Sequence, residues 1–284
     1  MRYIEYQEKR EHGTFSFPFA FYNVSPRHPR YVMTYHWHKE TEIIRVLEGS
    51  FPILLDNKEY RLNAGDWLLV PSGVLHGGFP ENCHYECLVF HFERLYSDSN
   101  ITRAICRSFT EKNLTFLNLF TQESHPDLLD SLRLSFEAAA SQFEGYQLCV
   151  LGNLFSALGC ILKCHYYTQP PIISAHNKKK ITQYKTVLSY IADHYSEDIT
   201  LNDLAGSVHM NSRYFCRFFK EFTGQTPMEY LNVYRIEAAC EQLTSTTHTV
   251  TEIAFNCGYN DINYFIRVFK KVKNCTPGRY LKKL

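Results

Sequence analysis

The C-terminal third of this 284-residue chain carries the same residue pattern twice, with about fifty positions between the two copies. The segment Asn211–Lys220, which reads NSRYFCRFFK, returns as Asp261–Lys270, which reads DINYFIRVFK. The tails repeat as well, since Gln225–Leu231 matches Cys275–Leu281. A fixed period of this length indicates a duplicated supersecondary unit, so both copies are predicted to fold in the same way.

Each copy is predicted to form a short helix, a turn and a second helix, over residues 201–222 and 250–273. Side chains typical of helix starts precede these helices: Thr200 with Asp203, then Asn211, in the first copy, and Thr249 with Glu252, then Asp261, in the second. In a capping box, two side chains three positions apart bond each other's backbone N–H groups, and a single Asn or Asp caps a helix with its side-chain oxygen.

The second helix of each copy has one apolar and one polar face. Apolar residues recur at helical spacing, as Phe215, Phe218, Phe219 and Phe222, then Phe265, Val268, Phe269 and Val272. The opposite face carries Arg213, Cys216, Arg217 and Lys220 in the first copy, and Asn263, Ile266, Arg267 and Lys270 in the second. A single apolar stripe at this period predicts a helix that packs one side into a core.

The helix-turn-helix motif consists of a short helix, a turn and a second helix with a basic exposed face. Its second helix enters the major groove of double-stranded DNA. Arginine pairs with guanine, and asparagine with adenine, through two hydrogen bonds each. Residues 178–284 hold about 15 basic and about 10 acidic side chains, so the repeat lies in the basic part of the chain. A helical core with a solvated charged face is the alternative, and two matched copies favour DNA binding over it.

Residues 181–284 resemble the DNA-binding domain of the AraC/XylS family of bacterial transcription regulators. The resemblance is carried by DLA (203–205), YFCRFFK (214–220), RIEAA (235–239), EIA (252–254) and FKK (269–271), together with Gly224, Gly258-Tyr259, Tyr264-Phe265 and Thr276-Pro277. It implies a cytoplasmic, DNA-binding regulator that contacts RNA polymerase and most often activates. It also implies that the polar face of each second helix touches DNA, with Lys220 and Lys270 on phosphates. Asn274 stands where the family usually has Gly, and Asn also adopts the left-handed conformation.

Residues 1 to about 95 alternate between polar and apolar, with many β-branched and aromatic side chains and frequent turn signals. Closely spaced short strands of this kind predict a small β-barrel or sandwich. Three histidines and one glutamate lie among them: His36, His38, Glu42 and His76. His36 and His38 would point to the same face of one strand. Three imidazoles and a carboxylate suit Zn, Fe, Mn or Ni.

The order HWH (36–38), Glu42 and Gly49, then Gly65, Pro71, Gly73 and His76, resembles both sequence motifs of the cupin superfamily. The resemblance implies a cupin-like barrel in which those four ligands hold a divalent metal or line an effector pocket. In AraC-type regulators the same motif often persists as barrel architecture without a functional metal, so no cofactor is required. A pocket lined by His and Glu suits a polar effector such as a carbohydrate.

The segment over residues 96–168 is predicted to be helical. Short helices are expected at 101–109 and 116–120, followed by an amphipathic helix from Pro126 and an apolar one over about 144–165. The apolar stripe of the last helix is wider than the surface that packing against one side of the barrel would bury. Together with the family resemblance, it predicts a homodimer through residues 126–165.

Two further expectations concern the same region. The uncharged run over residues 146–162 is shorter than the roughly 18–20 apolar residues of a membrane span, so no membrane segment is predicted. Pro170 and Pro171 cannot continue a helix, and residues 169–180 are predicted to form a linker between domains.

The predicted fold class is therefore α+β with two domains. A cupin-like barrel with a helical dimerisation segment occupies residues 1–168, and an all-α domain with two helix-turn-helix motifs occupies 181–284. The predicted function is sequence-specific transcription regulation, as an activator that responds to a small effector, without enzymatic activity. The alternatives are a metal-dependent cupin enzyme fused to a DNA-binding domain, and a regulator controlled by a partner protein or by the thiol state of its ten cysteines.

Overall fold

A computed structural model describes residues 19–28, 31–56, 58–92, 103–105, 109, 111–112, 114–169 and 174–281. The chain divides into two compact units, with the boundary between Ala175 and His176. The first unit contains the described strands and two helices, and the second is helical. The candidate metal ligands thus lie in one unit and the sequence repeat in the other.

Antiparallel strands build the first unit. They are β1 (Phe19–Val24), β2 (Met33–His36), β3 (Thr41–Leu55), β4 (Lys58–Asn63), β5 (Trp67–Val70), β6 (His76–Gly78), β7 (Glu81–Phe90), β8 (Thr115–Phe116), β9 (Leu119–Phe120) and β10 (Tyr167–Thr168). The long strand β3 pairs with β5 and β7 along its first half, and with β4 and β6 along its second half. A register shift between Val46 and Ser50 separates the two halves. Strand β3 therefore joins the strands that pair with its first half to those that pair with its second half.

Successive residues of these strands enter two different cores, because side chains alternate between the faces of a sheet. Ile44, Leu68 and Cys87 lie in a core that the sheet encloses. Their neighbours Ile43, Leu69 and Leu88 lie in a second core, which the sheet shares with two helices. A sheet that encloses one core and supports helices on its outer face agrees with the predicted barrel.

Two helices cover the outer face of the sheet, and both were predicted from sequence. Helix α1 (Pro126–Ser141) has proline in its first turn, and helix α2 (Tyr146–Cys164) follows a left-handed Gly145. Their buried residues include Leu132 and Phe136 of α1 and Leu154, Leu158 and Ile161 of α2. The amphipathic pattern identified the packed side of α1, whereas only part of the apolar stripe of α2 is buried, since Leu148 and Phe155 are exposed.

The helix predicted over residues 116–120 is wrong, because this segment forms strands. Phe116 in β8 pairs with Tyr167, and Phe120 in β9 pairs with Trp67. Asn118 bonds Leu69 twice, through its backbone carbonyl and through its side-chain amide. Five residues form too few helical hydrogen bonds to compete with these cross-strand bonds. The helix predicted over 101–109 lies largely outside the described residues, of which 103–105 are helical.

Helix α2 is also long and apolar enough to span a membrane by length and composition alone, which the sequence expectation had excluded. It is the one such helix in the described parts of the chain. Core helices of globular proteins meet the same criterion, and one side of α2 packs against α1 and the sheet. Its other side carries exposed apolar residues, among them Leu148 and Phe155.

The second unit consists of helices α3 (Ala175–His194), α4 (Leu201–Gly206), α5 (Ser212–Thr223), α6 (Pro227–Ser245), α7 (Val250–Asn256), α8 (Ile262–Lys273) and α9 (Pro277–Leu281). Helix α3 begins at Ala175, so the second half of the predicted linker is helical. Alanine and lysine favour helices, and Thr182 bonds the carbonyl of Lys178 within this first part. The Tyr184 ring of α3 stacks on two rings of α5, Phe218 and Phe222.

Candidate DNA-contacting surface and histidine cluster

The first helix of each repeat starts with the capping box expected from sequence. The Thr200 backbone N–H donates to the Asp203 carboxylate at 2.8 Å, and the Thr249 N–H donates to the Glu252 carboxylate at 2.7 Å. Each threonine hydroxyl accepts in return from the backbone N–H of its partner. Reciprocal capping satisfies two backbone groups at each helix start and fixes where helices α4 and α7 begin.

The second helices start at the predicted caps. Asn211 accepts a hydrogen bond from the backbone N–H of Tyr214 at 2.9 Å. Asp261 accepts from the N–H of Asn263 at 2.7 Å. These caps set the rotational phase of α5 and α8, and so decide which side chains face outward.

The turn inside each repeat contains one residue with a positive φ. It is His209 in the first copy, at 56°, and Gly258 in the second, at 77°. A Cβ on Gly258 would collide with the carbonyl oxygen of Tyr195 and lie 2.8 Å from the Arg235 guanidinium. Glycine is therefore required in the second turn by close approach as well as by conformation.

Helices α5 and α8 show the same burial pattern, residue by residue, from Asn211 to Lys220 and from Asp261 to Lys270. The matching apolar residues are buried: Phe215, Phe218 and Phe219 in α5, and Phe265, Val268 and Phe269 in α8. The proposed DNA contacts are exposed, namely Arg213, Arg217 and Lys220 in α5 and Asn263, Arg267 and Lys270 in α8, while Cys216 and Ile266 are half-buried. The fold brings these eight residues to corresponding places on two similar helices.

Contacts that the sequence pattern did not reveal support the outer side of α8. The Asn232 side chain of α6 donates to the Tyr264 hydroxyl at 3.2 Å, and the Tyr259 hydroxyl donates to the Asn232 oxygen at 3.2 Å. The Arg267 guanidinium lies 5.3 Å from the centre of the Tyr264 ring. Tyr264 thus links the connecting helix α6 to one of the predicted base-contacting residues.

In the first unit, the four predicted ligands His36, His38, Glu42 and His76 come together. One ligand atom from each lies within 4.8 Å of the ligand atoms of the other three. His36 ends β2, Glu42 lies in β3 and His76 begins β6, while His38 lies in the loop between β2 and β3. The cluster is therefore built from neighbouring strands that are distant in sequence.

Each imidazole of the cluster bonds a backbone carbonyl through its Nδ1 atom. The partners are the carbonyl of Thr34 for His36, at 2.8 Å, that of Glu40 for His38, at 3.1 Å, and that of Val74 for His76, at 2.9 Å. A carbonyl only accepts, so Nδ1 is the donor in each of these contacts. The Nε2 atoms of His38 and His76 point to the same Glu42 oxygen, at 3.4 and 2.9 Å. Orientation of this kind is how proteins prepare histidine for a metal.

The neighbours of Glu42 stabilise its ionised form. Burial alone would raise the pKa of this carboxyl group, but hydrogen bonds from His38 and His76 outweigh burial and hold the pKa well below its usual range. Glu42 is 4% exposed. A buried carboxylate among three imidazole rings is a donor set that fits Zn, Fe, Mn or Ni.

Two further residues, Glu40 and Cys87, contact this cluster and were missed by sequence reasoning. Glu40 is 3% exposed; one of its oxygens accepts from His91 at 3.0 Å, and the other lies 3.6 Å from Nδ1 of His38 without a hydrogen bond. The buried Cys87 thiol bonds Glu42 on the side of the enclosed core. Strand pairing brings these residues close, because Thr41 lies opposite Phe90 and Ile44 opposite Cys87.

The enclosed core beside the cluster is filled by apolar side chains. Ile44, Phe51 and Leu68 are fully buried there, and Tyr85 is 2% exposed. Among the described residues, a cavity lies instead in the second core, between the sheet and helices α1 and α2, with apolar walls that include Phe90, Phe120, Leu132 and Leu158. The walls of this cavity are apolar, whereas the polar ligand atoms come together at the cluster.

Comparison with known proteins agrees with both units. Family models match an AraC-like ligand binding domain at residues 18–156 and a helix-turn-helix domain at residues 204–283. The chain is 26% identical over 284 residues to the HTH-type transcriptional regulator YdeC of Bacillus subtilis, covering 97% of this chain and 96% of that protein. It is 33% identical over 104 residues to the HTH-type transcriptional activator RhaS of Salmonella paratyphi B, which is 37% of this chain and 36% of RhaS.

A solved structure shows the same fold. The crystal structure of an apo ToxT variant from Vibrio cholerae matches 95% of this chain and 98% of its own, with a TM-score of 0.50 and 16% identity. A ligand-binding β-sheet domain followed by a helix-turn-helix domain defines an effector-responsive, DNA-binding transcription regulator. The chain belongs to the AraC family of transcription regulators.

Proposed function

We propose that the outer faces of α5 and α8 read DNA sequence in the major groove. In this proposal Arg213, Cys216 and Arg217 of α5 contact bases, and Asn263, Ile266 and Arg267 of α8 do the same. Lys220 and Lys270 contact phosphates, which position the protein on DNA without carrying sequence information. The matched burial of the two helices carries the proposal, because a purely structural repeat would not need the same residues exposed in both copies.

Selection of binding sites tests this function directly. The full-length protein would be mixed with a pool of random DNA duplexes, and the bound fraction sequenced after several rounds. We expect enrichment of two short sequence blocks separated by about one helical turn, one for each repeat. Recovery of a random pool, or of a single block that does not change in α8 variants, would contradict the proposed reading by both helices.

Homodimerisation is the second part of the proposed function. Leu148, Gly152, Phe155 and Gly159 recur on α2 at alternating intervals of four and three positions, as in the contact seam of paired helices. Leu148 is 74% and Phe155 is 40% exposed, and a Cβ on either glycine would meet no described atom within 4 Å. Large side chains that alternate with glycines allow a second copy of α2 to approach closely, with each large residue beside a gap.

In the cell, the dimer acts in the cytoplasm as an activator that contacts RNA polymerase. Similarity to RhaS, a transcriptional activator, supports this direction of control. A role without catalysis is supported by the relatives, which are named transcription regulators. The rival cupin enzyme requires turnover of a substrate, so an assay of the purified protein for metal-dependent oxidation or isomerisation that found no turnover would exclude it for the compounds tested.

Control by thiol oxidation is less well supported than control by an effector. Burial raises the pKa of Cys83 to about 11 and that of Cys257 to about 12, which keeps both as unreactive thiols at neutral pH. Cys216 on α5 is the half-buried exception on the proposed DNA surface. If DNA binding by the wild type does not change with oxidant or reductant, as we expect, thiol control has no place in the function. If it does change, Cys216→Ser tests whether Cys216 is the responding thiol.

A further inference from the structure

Helices α5 and α8 carry a tyrosine at the same position, and its ring has different neighbours in each. Tyr214 is 47% and Tyr264 is 38% exposed, so a large part of each ring lies at the protein surface. The Tyr214 ring lies along the Phe218 ring of its own helix, with the centroids 6.4 Å apart and the planes at 24°. The Tyr264 ring lies beside the Arg267 guanidinium, at 5.3 Å. The face of an aromatic ring attracts a cation, so this ring restricts the positions of the Arg267 side chain.

The Tyr264 ring is itself held at two places, by helix α6 and by the turn before α8. The Asn232 side-chain amide donates to the Tyr264 hydroxyl at 3.2 Å, and the Tyr259 hydroxyl donates to the Asn232 side-chain oxygen at 3.2 Å. The Tyr259 ring also packs beside the Tyr264 ring, with the centroids 5.9 Å apart. A hydrogen bond at the hydroxyl and a contact along the ring together fix the orientation of Tyr264.

The contacts behind Tyr259 are buried and reach the end of helix α3. Tyr259 is 2% exposed, and the Arg235 guanidinium lies 5.5 Å from the centre of its ring. Arg235 is 8% exposed and donates to the backbone carbonyls of Tyr195 and Glu197. Hydrogen bonds from a charged group in a buried place are strong, so this part of the helical unit is rigid. Tyr264 is therefore supported by buried structure instead of by other surface side chains.

An arginine that contacts guanine must present two N–H groups to the O6 and N7 atoms at once. A long side chain loses much of its rotamer freedom when it does so. A ring beside the guanidinium removes part of that freedom before DNA binds, so less is lost on binding. The ring contacts the face of the guanidinium, whereas a base contacts its N–H groups, so both contacts can exist together.

We infer that Tyr264 is a positioning residue for sequence recognition: its ring, fixed by Asn232 and Tyr259, orients Arg267 for a two-bond contact with guanine. The inference rests on the proposed DNA-binding function, in which Arg267 contacts a base. Tyr264 acts on that base through Arg267. Reading by α8 therefore depends on α6, the helix that connects the two repeats, through the Asn232 side chain.

A double-mutant cycle on base discrimination tests this role. Affinities of the full-length protein would be measured for the selected duplex and for each of its single-base variants. Arg267→Ala identifies the guanine position, where discrimination should fall about 5- to 150-fold. Tyr264→Leu should reduce discrimination at the same position by about two- to fivefold. It should cause no further loss there when combined with Arg267→Ala, because its effect passes through that side chain.

Two smaller changes separate the hydroxyl bond from the ring. Tyr264→Phe keeps the ring and loses the bond to Asn232, and Asn232→Ala removes the other partner of the same bond. Each should reduce discrimination at the guanine position, and the double variant should be no worse there than Asn232→Ala alone. Circular dichroism identifies the variants that keep the fold. If Tyr264→Leu does not, Tyr264→Phe and Asn232→Ala still give the answer.

Tyr214→Leu is the matched control, because it removes the exposed ring at the corresponding position of α5. It should leave discrimination at the position read by Arg267 unchanged. A loss at that position as large as the loss in Tyr264→Leu would overturn the inference, since removal of either surface ring would then have the same general effect.

The remaining outcomes distinguish this inference from the proposed function. Discrimination that falls in Arg267→Ala but stays intact in Tyr264→Leu overturns the positioning role and leaves base reading by α8 in place. An even loss of affinity for all sequences in Tyr264→Leu also overturns it, because a structural role explains such a loss. The same holds if the losses of the two variants add, as they would for a direct contact between Tyr264 and DNA. If Arg267→Ala changes discrimination at no position, the base contact in the proposed function is itself wrong.

Discussion

Gly224 and Gly258 have almost the same backbone angle but different surroundings. Their φ values are 72° and 77°, both in the left-handed region. A Cβ on Gly224 would meet nothing within 4 Å, whereas one on Gly258 would collide with Tyr195 and approach Arg235. Arg235 is itself held by the carbonyls of Tyr195 and Glu197, at 2.7 and 2.6 Å, so it has little freedom to move away.

This pair yields a prediction about stability. Gly224→Ala should lower the free energy of unfolding of the helical unit by about 1 kcal/mol, the conformational cost alone. Gly258→Ala should cost about 2–4 kcal/mol, because overpacking against backbone adds to the same conformational term. Denaturant titrations of the full chain, followed by circular dichroism, measure both. Equal losses for the two variants would show that the turn of the second repeat relaxes freely.

Arg213 is exposed at the start of α5, where helix-turn-helix proteins contact bases. Arg213→Ala should lose discrimination at one position of the binding site, by about 1–3 kcal/mol or roughly 5- to 150-fold. Lys220→Ala is the comparison, because loss of a phosphate contact weakens binding to all sequences alike and lowers its salt dependence. Affinities for a set of single-base variants of the selected site measure both effects. An even loss across all bases in the Arg213 variant would assign this residue to the phosphates.

At the scale of elements, three helix starts depend on ionised capping side chains. Bonds from the Thr200 hydroxyl and backbone lower the pKa of Asp203, and bonds from Thr226 and Thr249, backbone first, lower those of Glu229 and Glu252. A pKa that is lower in the folded state contributes stability that is complete above the unfolded value and disappears as pH falls through the folded value. These contributions should therefore fade below about pH 4.

The prediction is that the helical unit loses thermal stability as pH falls from about 5 to 3, and that Glu252→Gln reduces this loss. Glutamine still completes a capping box but does not titrate in this range. Glu241→Gln, at an exposed position of α6, serves as the control for removal of a carboxylate that belongs to no capping box. Melting temperatures across this range measure the difference. A steeper acid loss in Glu252→Gln than in the wild type would contradict the capping account.

The helices of the repeats could be predicted because several local sequence signals agree at each of them. Residues 116–120 offered only a short apolar run, which fits a helix or a strand. Capping residues, helical period and a second copy agree for α5 and α8. The strands at 116 and 120 depend on partners at Tyr167 and Trp67, which no local pattern reveals. The start of α3 at Ala175 was missed because the preceding prolines suggested a longer linker.

The candidate site likewise contains some residues that the sequence predicted and others that it did not. The resemblance to the two cupin motifs identified His36, His38, Glu42 and His76, because those motifs place ligands at fixed intervals, and the structure brings the four together. Glu40 and Cys87 were not predicted. Their contacts arise from the register between β3 and β7, which sequence does not show without a known pairing. Bonding of each Nδ1 to a carbonyl likewise depends on backbone geometry at Thr34 and Val74.

At the scale of the whole molecule, the exposed apolar side of α2 is the proposed dimer seam of the ligand-binding domain. A dimer brings two DNA-binding units to one operator, so the second binding event becomes intramolecular and total affinity rises. Phe155→Asp places a charge in the centre of the proposed seam. Since Phe155 is 40% exposed in the single chain, the substitution should cost the fold little. We expect the wild type to sediment as a dimer and the variant as a monomer.

Phe79→Asp provides the matched control for this prediction, because Phe79 is 42% exposed and follows β6 instead of belonging to α2. It should remain dimeric. Analytical ultracentrifugation gives the mass of each protein, and affinity for an operator with two half-sites gives the consequence. Loss of avidity should weaken binding of the Phe155 variant by about 100-fold or more, while affinity for one isolated half-site stays unchanged. A Phe155 variant that stays dimeric would show that the dimer forms through another surface. A monomeric variant with full operator affinity would show that DNA recognition does not depend on dimerisation.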